Sequence, residues 1–188
     1  MKAIKRDAAA TRQRILDHAT AEFARYGIAG ARVDRIAAAA GSNKAMIYAY
    51  FASKDKLFDA VFDAVVVRNV TDVPIDATDL PEYAARLAEQ YSRYPEVVRL
   101  MAWDRLERDG EGARLPVVVA ARAHKVEAVR KAQEAGLIGR HFPPAMLLEL
   151  IYAIAMMRFD ALASESELPA PGLRRRAIKE AVARLIRA

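Results

Sequence analysis

Three kinds of residue in this 188-residue sequence are equipped for chemistry, and only one of them is arranged for it. The histidines His18, His124 and His141 share no metal-ligand spacing. No cysteine is present to act as a thiolate nucleophile or zinc ligand, and neither a glycine-rich phosphate loop nor a nucleophile elbow occurs. Catalysis, a bound metal and a cofactor are therefore not expected. What remains is cation chemistry. Residues 1–56 hold 11 Lys/Arg against 5 Asp/Glu, whereas residues 57–188 hold 19 of each, so the whole net charge of +6 sits at the front. A basic head on a neutral body implies a polyanion met by that head, or simply a charged and solvated helix surface; charge alone leaves both open.

The elements that must position those cations read as helices almost throughout, without two-residue alternation or a hairpin signal. The expected fold class is all-α, with about nine helices. A first helix is expected from about Thr11 to Tyr26, with Ile15, Ala19, Phe23 and Tyr26 on one stripe and Gly27 as its stop. A second runs from Val33 to Ala40 and a third from Lys44 to Phe51. A fourth follows Ser53, whose hydroxyl can cap it. After the acidic, proline-punctuated linker 72–81, Asp79 with Glu82 offers a capping box for a fifth helix ending near Tyr91. Pro95 opens a sixth to about Arg108, and a seventh spans Pro116 to Ala135. Pro143 and Pro144 open an eighth across the apolar stretch Ala145 to Ala163, and Leu173 to Arg187 forms the last.

Val33 to Phe51 is the segment that carries information about function. Helix, three-residue turn at Gly41-Ser42-Asn43, helix: the small Ala37 sits where two steeply crossed axes meet, and Ile36, Ala40 and Ile47 supply a little core beneath. Such an arrangement frees the outer face of the second helix to enter a DNA major groove. The same pattern also fits an ordinary helical hairpin.

The run from Arg14 to Leu57 resembles the DNA-binding head of the TetR (tetracycline-repressor) family. Ile15-Leu16, Ala19, Phe23, Gly27, Ile36-Ala37, Gly41, Tyr48, Tyr50-Phe51, Ser53-Lys54 and Leu57 carry the likeness, and Ile47-Tyr48-Ala49-Tyr50-Phe51-Ala52-Ser53-Lys54 is its most specific part. The resemblance implies a helix-turn-helix DNA-binding domain over residues 1–52 and an effector-binding, dimerising helical domain over 53–188. It implies that Tyr48 and Lys54 hold backbone phosphates and that Lys44, Ala45, Met46, Ala49 and Tyr50 face the groove. Four departures stand out: Arg32 replaces a capping threonine, Ser42 a valine, Asn43 a serine, and Ala45-Met46 a Gly-Thr pair. Asn43 can still cap, Arg32 can reach a phosphate instead, and Met46 would meet a thymine methyl. The DNA-contacting set is thus Arg32, Ser42, Asn43, Lys44, Ala45, Met46, Tyr48, Ala49, Tyr50 and Lys54.

By the same resemblance the protein is a ligand-responsive repressor that binds a palindromic operator as a homodimer and releases it on binding a small apolar effector. Ala145 to Ala163 is apolar nearly all round, so it needs the core on one side and another subunit on the other. Ala145, Ala153 and Ala161 would permit close approach. Tyr91, Met101, Trp103, His124, Tyr152, Met156 and Phe159 are the pocket candidates, although each also suits plain core, and His124 a surface. Arg174, Arg175 and Arg176 could form a second nucleic-acid patch, but at the start of a helix two of the three read most simply as a solvated face. No export signal precedes the head, and Glu149, Arg158 and Asp160 interrupt the one long apolar stretch, so no membrane partner is expected and the cytoplasm, on the nucleoid, is the expected location. A nucleoid-organising protein with the same head and no effector is the competing reading.

Overall fold

The helices end where chain chemistry says they should. The computed structural model describes residues 2–157 and 171–187, and these form nine α-helices and one 3-10 turn, with no strand among them. In order they are α1 (Lys2–Gly30), α2 (Val33–Ala39), α3 (Lys44–Phe51), α4 (Lys54–Asp72), α5 (Leu80–Arg93), α6 (Pro95–Glu107), the 3-10 turn Glu111–Arg114, α7 (Pro116–Glu134), α8 (Pro144–Met156) and α9 (Pro171–Leu185). Ser53 Oγ accepts the Lys56 N–H at 3.1 Å, and Asp79 Oδ1 accepts the Glu82 N–H at 3.0 Å, so α4 and α5 carry the caps expected of them.

Four expectations need correction. The first helix starts at Lys2 rather than near Thr11, because alanine and basic residues are strong helix formers even without a capping residue ahead of them. Tyr26 is 41% exposed: its ring lies under the guanidinium of Arg35, 4.3 Å away, instead of joining Ile15, Ala19 and Phe23 inside. Glu82 does not complete a capping box but turns to α9, where Arg175 and Lys179 hold it. One member of the arginine run, not two, is a solvated face. Arg174 donates to Ser92 Oγ at 2.6 Å and Arg175 pairs with Glu82 and Glu89, leaving Arg176 as the exposed member of the run.

The described chain packs as two units, Met1–Arg68 with Pro95–Val119, and Asn69–Tyr94 with Ala120–Ala188. In the first, α1 packs on α2 and on α6, and α2 on α3. Its buried centre includes Ile15, Phe23, Ile36, Ile47, Leu57, Phe58 and Leu100, with Phe23 and Phe58 edge to face at 5.2 Å. The 3-10 turn is pinned by Asp104, only 3% exposed, whose two oxygens each accept the Gly112 N–H at 3.0 Å. A Cβ on Gly112 would lie 2.8 Å from Asp104 Oδ2 and 3.0 Å from Phe62 Cζ, so only glycine lets the turn come this close.

In the second unit α5 packs against α8 and α9, with Leu80, Tyr83, Leu87, Leu147, Leu148, Ile151, Ile178 and Val182 buried. Helix α8 is divided between core and surface: Leu147, Leu148, Ile151 and Ala155 are inside, whereas Ala145, Met146, Ala153 and the following Met157 are exposed. It stops at Met156, so Ala161 and Phe159 lie outside the described residues. No described helix is long and apolar enough to cross a membrane.

Candidate functional site

The head offers its polar side chains around α3. Val33, Ile36, Ala37, Ala40, Ile47 and Phe51 are all buried, which holds α2 and α3 together from within and leaves their outer faces free. Asn43 has the extended backbone of an N-cap, and its Oδ1 accepts the Met46 N–H at 2.8 Å. Such a cap is worth about 1 kcal/mol, and the amides of the first turn keep the partial positive charge of a helix start.

Of the ten expected DNA-contacting residues, Arg32, Asn43, Lys44, Ala45, Met46, Tyr48 and Ala49 are exposed, while Ser42, Tyr50 and Lys54 are half-buried. Lys44 Nζ lies 3.1 Å from Asp34, but both side chains are well exposed, so the pair contributes under about 1 kcal/mol and leaves the ammonium available. Lys54 Nζ makes two long bonds, 3.3 Å to the Ala29 carbonyl and 3.4 Å to that of Ala31. An ammonium is favoured there by the end of α1 and keeps a third proton to donate. Arg32 caps nothing with its side chain; its backbone N–H goes to Glu22 at 2.9 Å. Glu22 also binds Arg35, so Arg35 is tied down while Arg32 is not. The Ser42 hydroxyl is enclosed, with no hydrogen-bond partner among the described residues.

The pocket candidates are distributed over both units. Met101 and Trp103 belong to the first, where Trp103 Nε1 donates to the Ala24 carbonyl at 3.3 Å and Met101 is 39% exposed. Tyr91, His124, Tyr152 and Met156 belong to the second. There Tyr91 is buried, Tyr152 and Met156 are half-buried and His124 is exposed. An open cleft of about 770 Å³ between α5 and α9 is lined by Asp72, Arg86, Gln90, Ser92, Arg174 and Ile178 among others, and by none of the six candidates among the described residues.

Beside His124 the structure brings in a residue the sequence reading passed over. Lys125 is 5% exposed, and its Nζ lies 5.8 Å from the ring centre of Tyr83 and 5.4 Å from that of Tyr152. No hydrogen bond or carboxylate answers it among the described residues. Burial alone pulls its pKa down from 10.5 to about 8. Burial and the neighbouring Tyr152 phenol push Tyr83 far up, and burial pushes Tyr152 up to about 12. Tyr91 is likewise raised by burial, against the pull of a hydrogen bond from Asn69. Asn69 Oδ1 is buried without a partner among the described residues, whereas the Tyr83 hydroxyl faces the Tyr152 phenol. The signal for Lys125 was its place four residues before Val129 and seven before Ala132, both of them buried, on the inward stripe of α7.

Comparison with known proteins agrees with this geometry. Residues 15–61 match the family described as bacterial regulatory proteins, tetR family, and residues 79–184 match the tetracyclin repressor-like C-terminal domain. A curated relative, the HTH-type transcriptional repressor SCO4008 of Streptomyces coelicolor, is 42% identical over 80% of this chain and 79% of its own. Another, the HTH-type transcriptional repressor NicS of Pseudomonas putida, is 32% identical over 67% of this chain and 63% of its own. Among solved structures, the candidate transcriptional regulator SCO4942 of Streptomyces coelicolor superposes with a TM-score of 0.82 at 38% identity, covering 94% of this chain and 98% of that one.

Proposed function

Since this chain belongs to the tetR family of bacterial regulatory proteins, we propose that it is a transcriptional repressor that grips a palindromic operator as a homodimer and lets go when a small effector binds its body. It is a regulator rather than an enzyme, as its curated relatives are. The observation that carries the DNA reading is the capped helix α3, with Lys44, Met46 and Tyr48 exposed along it in the basic part of the chain. Tyr48 and Lys54 suit phosphate oxygens, since a phenol and an ammonium donate without regard to base. Lys44, Ala45, Met46 and Ala49 are placed to meet base edges. Arg32, Asn43 and Tyr50 flank them, and Ser42 would need its enclosed hydroxyl turned outward to join. Selection of bound duplexes from random DNA tests the reading: it should return an inverted repeat, with affinity falling steeply as salt rises. Equal affinity for selected and random duplexes at physiological salt would remove it.

The homodimer reading is supported by the exposed Ala145, Met146 and Ala153 of α8, among which Glu149 is neutralised by Arg122, together with Leu173, Ala177 and Ala181 on α9. Met146 is 53% exposed, Met157 46% and Leu173 47%, and methionine, leucine and alanine on adjacent helices suit a four-helix contact with a second copy. Ala153→Arg should therefore convert the dimer to monomers in sedimentation, because the guanidinium would be desolvated without a partner in a close helix contact. A variant that sediments as wild type would move the interface elsewhere. Effector release then needs only that the ligand prefer the dimer whose heads do not match the operator.

A further inference from the structure

A buried cation without an anion is the least explained feature of the body. Lys125 comes from α7 and lies between Tyr83 of α5 and Tyr152 of α8, 95% out of water with no carboxylate beside it among the described residues. The nearest carboxylate acting on Tyr152 is Glu149, and it is already paired with Arg122 at 3.0 Å. Two aromatic faces at 5.4 and 5.8 Å are weak compensation, near the outer limit at which a ring attracts a cation. The Tyr83 hydroxyl is buried beside it and faces the Tyr152 phenol, so it brings no negative charge to the ammonium. Buried polar groups left this way cost folding free energy, and they occur where a bound partner completes them.

We infer that Lys125 is the counter-ion of an anionic ligand: a small monocarboxylic acid with an apolar body, whose carboxylate takes the ammonium. This deepens the effector reading above and rests on it. One ammonium answers one negative charge. A phosphate monoester carries close to two negative charges and would need a second cation, and the nearby Arg122 is occupied. Tyr152, half-buried, reaches solvent, so the ammonium is one side chain from the exterior and the apolar body of the acid would lie along that ring.

The test is calorimetric titration of the full-length dimer with benzoate, phenylacetate and octanoate, each beside its primary amide. At least one acid should bind ten times more tightly than its amide. Lys125→Met should weaken that acid at least tenfold while leaving the amide unchanged, and Lys125→Arg should retain part of the preference. Melting curves show that both variants are folded. Amides that bind as well as acids, acid binding that survives Lys125→Met, or no binding by any of the three acids would overturn the inference. Operator release is read separately by fluorescence anisotropy. An acid that binds through Lys125 and leaves the operator complex intact upholds the site and removes the effector reading. A neutral compound that releases operator equally from wild type and Lys125→Met does the reverse.

Discussion

Lys125→Met should melt several degrees above the wild type at pH 7, although it deletes a charge that sits against two aromatic rings. An ammonium whose pKa falls from 10.5 unfolded to about 8 folded disfavours the folded state by about 3 kcal/mol at neutral pH. Cation–π attraction to Tyr83 and Tyr152 offsets about 1 kcal/mol of that, and methionine keeps the aliphatic stem and its packing. The net gain is about 2 kcal/mol, or roughly 4–8 °C for a chain of this size. Its pH dependence has a definite sign. Between pH 8 and 10.5 the unfolded chain holds a proton at Lys125 that the folded chain has released, so wild-type stability rises with pH across that window. The advantage of Lys125→Met is full below pH 8 and shrinks toward pH 10.5. Thermal melts at fixed protein concentration over this range decide it. A variant less stable than wild type at pH 7 would mean that the ammonium has a partner inside the fold.

A destabilising cation on the inward stripe of α7 also shows the limit of reading helices one at a time. The amphipathic stripe of α7 passes through Lys125, but lysine is so commonly a surface residue that the next-door His124 drew the attention instead; it is His124 that proves exposed. Arg174 and Arg175 failed for the same reason. Whether an arginine at a helix start meets water or Glu82 and Glu89 depends on which helix packs against it, and nothing local to α9 encodes that. The turn between α2 and α3 was legible because everything that makes it lies within twenty residues: the small Ala37 at the crossing, the turn beginning at Gly41, the Asn43 cap and the buried Ile36, Ala40 and Ile47. Trp103 lies at the opposite extreme. Its indole N–H is bonded to Ala24, 79 residues earlier in the chain, a partner no local pattern encodes.

That long-range contact makes Gly27 the position where a single methyl group should do most harm. Its backbone stands at φ 74, ψ −178, a region essentially closed to any residue with a Cβ. This one residue interrupts α1 and turns the chain so that Ile28 and Ala31 enter the core. The turn also sends the Ala29 N–H to Glu107 Oε2 at 2.6 Å. A Cβ at Gly27 would collide with the Glu107 carboxylate and press on the Trp103 ring at 3.1 Å. Backbone strain costs about 1–3 kcal/mol and the forced retreat of Trp103 about as much again, so Gly27→Ala should lose roughly 3 kcal/mol or more. Operator affinity should fall with it, because α1 backs α2 and Lys54 bonds to the carbonyls of Ala29 and Ala31. The two sources of loss separate in a double-mutant cycle. With Trp103→Ala in place, the share of the Gly27→Ala penalty owed to the indole should vanish while the backbone share and the Glu107 contact persist, an interaction of about 1 kcal/mol or more between the two sites. Strict additivity would mean that α6 does not press on this turn, and a Gly27→Ala variant that melts with the wild type would mean that the turn does not require a left-handed residue.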